Sequence, residues 1–240
     1  MRALAVLLVA SCAGAGPTHD EPSDFDPVDW TGPDGKADFA GVPAVFDKSD
    51  IMEDVILTAD TAVDGNAVQA FLESSPYGTR SWLADITLDG QRFSDDLVAI
   101  AGAQGVDPVV LLARMQVESS LVSATVRPSA TRINTALGCG CPDSSNCASA
   151  YRGLSNQLTC AAQVLTDRFG ESQDGSGDWR KGHAHKTSDP TWVTPRSNAT
   201  AALYAYTPWV LQGTGGNWLV WNVSRKFLKH FDQAGTLHLP

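Results

Sequence analysis

Stretches that alternate apolar and polar residues are nearly absent from this 240-residue sequence, which argues against a sandwich or barrel and leaves helices to build the core. Long apolar runs are missing too. The run from Ala3 to Ala10 is too short to span a bilayer, and no other segment could do so. Basic residues are scarce, 17 Lys and Arg against 27 Asp and Glu, for a net charge of -10. No basic stripe of the kind that nucleic-acid binding requires is present, so no nucleic-acid partner is expected.

The negative charge is concentrated at one end. Residues 13–54 hold eleven Asp or Glu and two Lys, with Pro17, Pro22, Pro27, Pro33 and Pro43 among them. Such a composition predicts a flexible acidic stalk, because it offers too little apolar surface to offset ordering entropy. Ahead of it, Met1-Arg2 and the short apolar run form a secretory signal. Val9-Ala10-Ser11-Cys12 resembles a bacterial lipobox, in which Cys12 is lipidated and tethers the exported chain to a membrane; ordinary cleavage nearby is the alternative. The expected division is a lipoprotein signal peptide at 1–11, an acidic linker at 12–54 and one folded domain at 55–240, facing the periplasm or the cell exterior. About 185 residues suffice for a good-sized core.

The remaining four cysteines, Cys139, Cys141, Cys147 and Cys160, fall within 22 residues. In an exported chain an even cluster reads as two disulfides. Zinc is the rival, but Cys-Gly-Cys lacks the usual gap within a ligand pair. Of the three pairings, one containing Cys139–Cys141 is disfavoured because alternate residues of an extended chain lie too far apart. His183 and His185 sit in a polar, aperiodic segment that reads as a surface loop, so no metal site is assigned there.

Helix signals recur along 55–240. Asp64-Gly65-Asn66 precedes an amphipathic stretch over 67–72, Ser94-Asp95-Asp96 caps 97–101, and Gly105 stops it. Leu154, Leu158, Ala162, Leu165 and Phe169 mark a helix that Gly170 should end, Ser197-Asn198 caps 199–206, and residues 217–231 form a last aromatic-rich helix. The expected fold is mostly α, a single domain with long loops at 121–153 and 171–196.

The segment Asp107 to Ser120 carries the chemistry. Asp107 followed by Pro108 predicts an N-cap and first helical residue, and Leu111, Met115 and Glu118 then share one face. A carboxylate on an apolar stripe is expected to be hard to ionise, which is how a glutamate becomes a general acid. By the same reasoning Glu118→Gln should leave stability level or raise it. Between Ser119 and Gly140 there is no Asp or Glu at all; Asp143 is the first.

Gln116-Val117-Glu118-Ser119-Ser120-Leu121, then Ala136-Leu137-Gly138, then Ala201-Ala202-Leu203-Tyr204-Ala205-Tyr206-Thr207-Pro208 follow one another in the order of three motifs of the lysozyme-like superfamily. The chain most resembles its soluble lytic transglycosylase branch and peptidoglycan glucosaminidase relatives, over roughly residues 66–231. Cys139 and Gly140 replace the family's Met-Gln, and Thr207 replaces an Asn. The resemblance implies a lysozyme-like domain that cleaves the glycan strands of peptidoglycan. It implies Glu118 as catalytic acid and base, with Gln116, Ser119, Tyr204 and Tyr206 near the substrate, Tyr206 being favoured over Tyr204. The lack of a second carboxylate after Glu118 suits the single-glutamate route to 1,6-anhydro products. The alternatives are a glucosaminidase or muramidase with Asp143 as partner, and a non-catalytic wall-binding lipoprotein. No cofactor is required by any of them. Trp209, Trp218 and Trp221 invite sugar stacking, with core packing of the last helix as the plainer reading.

Overall fold

A computed structural model describes residues 23–30, 41–58, 62–141 and 147–237, and among these the chain is mostly helical. The signal segment, Cys12 and Asp143 lie outside the described residues. In chain order the helices are α1 (Asp54–Leu57), α2 (Gly65–Glu73), α3 (Phe93–Gln104), α4 (Pro108–Ser119), α5 (Ala130–Asn134), α6 (Leu154–Asp174), α7 (Asn198–Tyr206) and α8 (Gly216–Gln233). Two antiparallel ladders of two residues each complete it, β1 (Thr87–Leu88) with β2 (Gln91–Arg92) and β3 (His185–Lys186) with β4 (Trp192–Val193).

Three helix starts follow the capping rules that the sequence suggests. The carboxylate of Asp64 accepts from Ala67 N at 2.8 Å, Asp107 from Val109 N at 2.7 Å, and the Ser197 hydroxyl from Thr200 N at 2.9 Å. Two boundaries differ. α3 begins at Phe93, because Ser94 turns its hydroxyl to Gln69 instead of capping. α6 runs through Gly170 to Asp174 and ends at Gly175, whose φ of 82° supplies the left-handed stop. One internal glycine weakens a 21-residue helix by about 1 kcal/mol, too little to break it against α3 and α7.

α4 is the axis of the domain. Every residue from Pro108 to Gln116 is buried, and the helix packs chiefly on α8. No single described helix is long and apolar enough to cross a membrane; α3 and α4, bent by 112° between them, are apolar together, and α4's central place in the core accounts for its share. Phe71 of α2 stacks on Phe231 at 4.8 Å and meets Phe227 edge-on at 4.9 Å, closing the core between α2 and α8.

The acidic stretch is not a free stalk where it is described. Val42, Ile51 and Met52 are fully buried and Trp30 nearly so, which moves the start of the packed unit well before the expected boundary at 55. Thr200 and Ser197 of the α7 cap bond the backbone of Ile51 and Met52, and Asp54 accepts from Ala199 N at 2.9 Å. On the other side Arg225 donates to the carbonyls of Trp30, Val42 and Pro43, while Lys226 pairs with Asp24 at 3.3 Å. Average composition concealed a few well-spaced apolar residues and the basic side chains of α8 that receive Asp24 and the segment's carbonyls.

Candidate active site

Glu118 occupies the last turn of α4, where the helix leaves the core. Ser120 follows in the left-handed region at φ 50°, and Arg132 of α5 donates to the carbonyls of Ser119 and Ser120. A cation on the last carbonyls suits the negative end of the helix and fixes its direction. The Glu118 side chain is 28% exposed.

Its carboxylate does not stand alone on an apolar face, as the sequence spacing suggests. Arg114, one turn earlier and completely buried, donates from Nη2 to Glu118 Oε1. The same Nη2 reaches Thr207 Oγ1 at 2.8 Å, and the guanidinium lies over the Tyr206 ring at 4.3 Å. Arg114 Nε and Nη1 have no hydrogen-bond partner among the described residues, so the ion pair, the hydroxyl and the ring face together compensate the buried charge. Arg114 is the neighbour of Glu118 that the sequence reading overlooked. Its signal was available: Arg and Glu four apart on one helix face each other.

Two further segments meet here. Ser119 Oγ lies 2.8 Å from Met115 O and 2.7 Å from Ala136 O, and the Tyr206 hydroxyl donates to Leu137 O at 2.7 Å. These contacts lay Ala136–Gly138 beside the end of α4. Gly138 has φ +69°, and a β-carbon there would stand 3.6 Å from Glu118 Oε2. The missing side chain leaves space at that oxygen. Behind the segment, Gln157 of α6 accepts from Leu137 N and Cys139 N and donates to Cys139 O at 2.7 Å. Two disulfides, Cys139–Cys160 and Cys141–Cys147, brace it further.

The other expected site residues divide. Tyr206 joins the site through Arg114, and burial pushes its phenol up to about 12, opposed by the Arg114 guanidinium and aided by Glu118. Ser119 is beside Glu118, but its hydroxyl is spent on backbone carbonyls. Gln116 and Tyr204 are not at the Glu118 carboxylate: both are buried and bonded elsewhere. Gln116 is buried against Asp24 and Ser123 on another side of α4, and Tyr204 is a core residue that stacks on Trp179 at 4.9 Å and donates to Lys48 O. Helical geometry explains both, since positions two apart point in different directions. Trp218 and Trp221 are buried under the N-terminal segment, whereas Trp209, two residues past Thr207, is 41% exposed. His185 lies against Trp179 at 4.5 Å and His183 is exposed in the loop before it.

The chain matches no family model, no curated protein and no solved structure.

Proposed function

We propose that this chain cleaves the glycan backbone of peptidoglycan as a lytic transglycosylase on a lysozyme-like fold, with Glu118 as the one general acid and base. The observation that carries the reading is a convergence. Three stretches far apart in sequence, around Glu118, Gly138 and Tyr206, are those that resemble the lysozyme-like motifs, and they meet at one partly exposed carboxylate. Packing alone gives no reason for those three to coincide at the end of a helix that is buried from Pro108 to Gln116.

The chemistry follows from what a glycosidic bond requires. Protonated Glu118 donates its proton to the leaving oxygen as the bond to the anomeric carbon breaks. The resulting carboxylate then takes the proton of the sugar 6-hydroxyl, whose oxygen closes on the anomeric carbon. One bond between carbon and oxygen is lost and one gained, the glutamate ends as it began, and no water is consumed. Exposed Trp209 beyond Thr207 offers a ring face to a pyranose. Attachment through Cys12 would hold the enzyme at a membrane next to its polymeric substrate.

The test is digestion of purified cell wall followed by mass spectrometry of the released muropeptides. Products about 18 Da lighter than the free reducing sugar, one water, are expected. Glu118→Gln should lower release at least ~10²-fold while binding to insoluble wall survives. Free reducing ends would assign a hydrolase instead. A wild-type protein that binds wall and releases nothing would make it a binding module.

A further inference from the structure

Arg114 stands apart from every other charged residue described near the site. It is fully buried, it spends Nη2 on both Glu118 and Thr207, and its plane covers Tyr206. A guanidinium restrained on three sides is a rigid support, unlike a long side chain that reaches a carboxylate from solvent. It touches only Oε1. The second oxygen, Oε2, faces Gly138, where a side chain is absent.

On the reading above, we propose that Arg114 is a positioning residue that gives the two oxygens of Glu118 different duties: Oε1 is the anchored atom and Oε2 the one that transfers the proton. Three elements combine to produce this. α4 sets Arg114 and Glu118 one turn apart, α7 supplies Tyr206 with Thr207 directly after it, and the segment held by Gln157 and Cys139–Cys160 presents Gly138 at the free oxygen. Without the anchor, the carboxylate rotates about its side-chain torsions and either oxygen points anywhere within the opening. Proton transfer depends on reach and direction, and a misplacement of about 1 Å can reduce a rate about 10²-fold. The glutamate would still be present, and the surface that meets the glycan would be unchanged.

The experiment uses the full exported chain on purified cell wall, comparing wild type, Arg114→Met, Arg114→Lys, Thr207→Val, Gly138→Ala and Glu118→Gln. Arg114→Met keeps an unbranched apolar stem and removes the guanidinium with its donors; its kcat should fall about 10²-fold with KM within about threefold of wild type. Arg114→Lys restores a cation four residues from Glu118 and should recover about tenfold of that loss, an effect that mere volume in the core does not explain. Thr207→Val removes one restraint on the guanidinium at the protein's margin and should lower kcat about tenfold, the worth of a charged hydrogen bond. Should Arg114→Met fail to fold, Thr207→Val carries the test. Gly138→Ala should also reduce kcat, since its β-carbon enters the space at Oε2. A folded Arg114→Met with wild-type kcat, or a loss confined to KM, overturns the proposal. So does a wild-type kcat for Thr207→Val. If wild type itself releases no muropeptides, the catalytic reading fails. If wild type is active, Glu118→Gln is inactive and the Arg114 and Thr207 variants match wild type, only the positioning role fails.

Discussion

Glu118→Gln separates what the sequence suggests about stability from what the structure requires. On an apolar helix face a neutral amide would be easier to keep than a carboxylate, and the variant would be as stable as wild type or more so. The structure gives the opposite sign, because the counter-charge of a completely buried Arg114 is removed. Breaking a buried ion pair from one side costs about 3–5 kcal/mol. Two features reduce that figure. The glutamine oxygen still accepts a hydrogen bond from Nη2, and Thr207 with the Tyr206 ring still faces the guanidinium. The remaining loss is the difference between a charged and a neutral acceptor, about 1–2 kcal/mol. For a domain of this size it lowers Tm by about 2–8 °C. Urea unfolding of wild type, Glu118→Gln, Arg114→Met and the double variant at pH 7 forms a cycle. The double variant, which buries no charge, should recover much of the loss, giving a coupling of about 1 kcal/mol or more. A Glu118→Gln protein as stable as wild type, or strictly additive effects, would refute the reasoning.

Other outcomes follow from the same geometry. Replacing Cys139 and Cys160 with alanine, a bridge across 21 residues, should cost about 3 kcal/mol in urea unfolding, against about 2 kcal/mol for Cys141 and Cys147, which span 6; the reverse order would contradict the loop argument. Asp24 accepts from Tyr77 at 2.5 Å and Gln116 at 2.6 Å and pairs with the buried Lys226. Asp24→Ala should therefore destabilise by about 2–4 kcal/mol, and an effect under about 0.5 kcal/mol would mean that residues 23–30 do not dock on α8 in solution. Burial raises the Tyr206 phenol from 10.0 to about 12, so the unfolded chain loses that proton first. Its contribution is complete below pH 10 and disappears as pH climbs through 12, about 3 kcal/mol in all; a stability profile across this window that Tyr206→Phe leaves unchanged would be inconsistent with it.

The local parts of the molecule were legible in the sequence. Asp64, Asp107 and Ser197 cap their helices because capping depends on residues two or three apart, and Glu118 at the end of α4 followed from helical periodicity alone. Arg114 was also within reach of the spacing, though its burial was not: a charged residue inside a helix of buried neighbours is acceptable only when another element brings it partners. Tertiary structure decided the rest. Gln116 and Tyr204 matched a motif but face inward, and which side of a helix meets solvent is set by what packs on the other sides. The acidic stretch looked like a stalk because composition averages over residues, whereas docking depends on a few: Val42, Ile51 and Met52 are fully buried, Ile51 and Met52 bond the cap of α7, the Val42 carbonyl accepts from Arg225 of α8, and Asp24 finds Lys226 some 202 positions away. The pairing of Cys139 with Cys160 rests on the same kind of fact. Four thiols close in sequence allow three connectivities, and only the path of the chain onto α6 selects one.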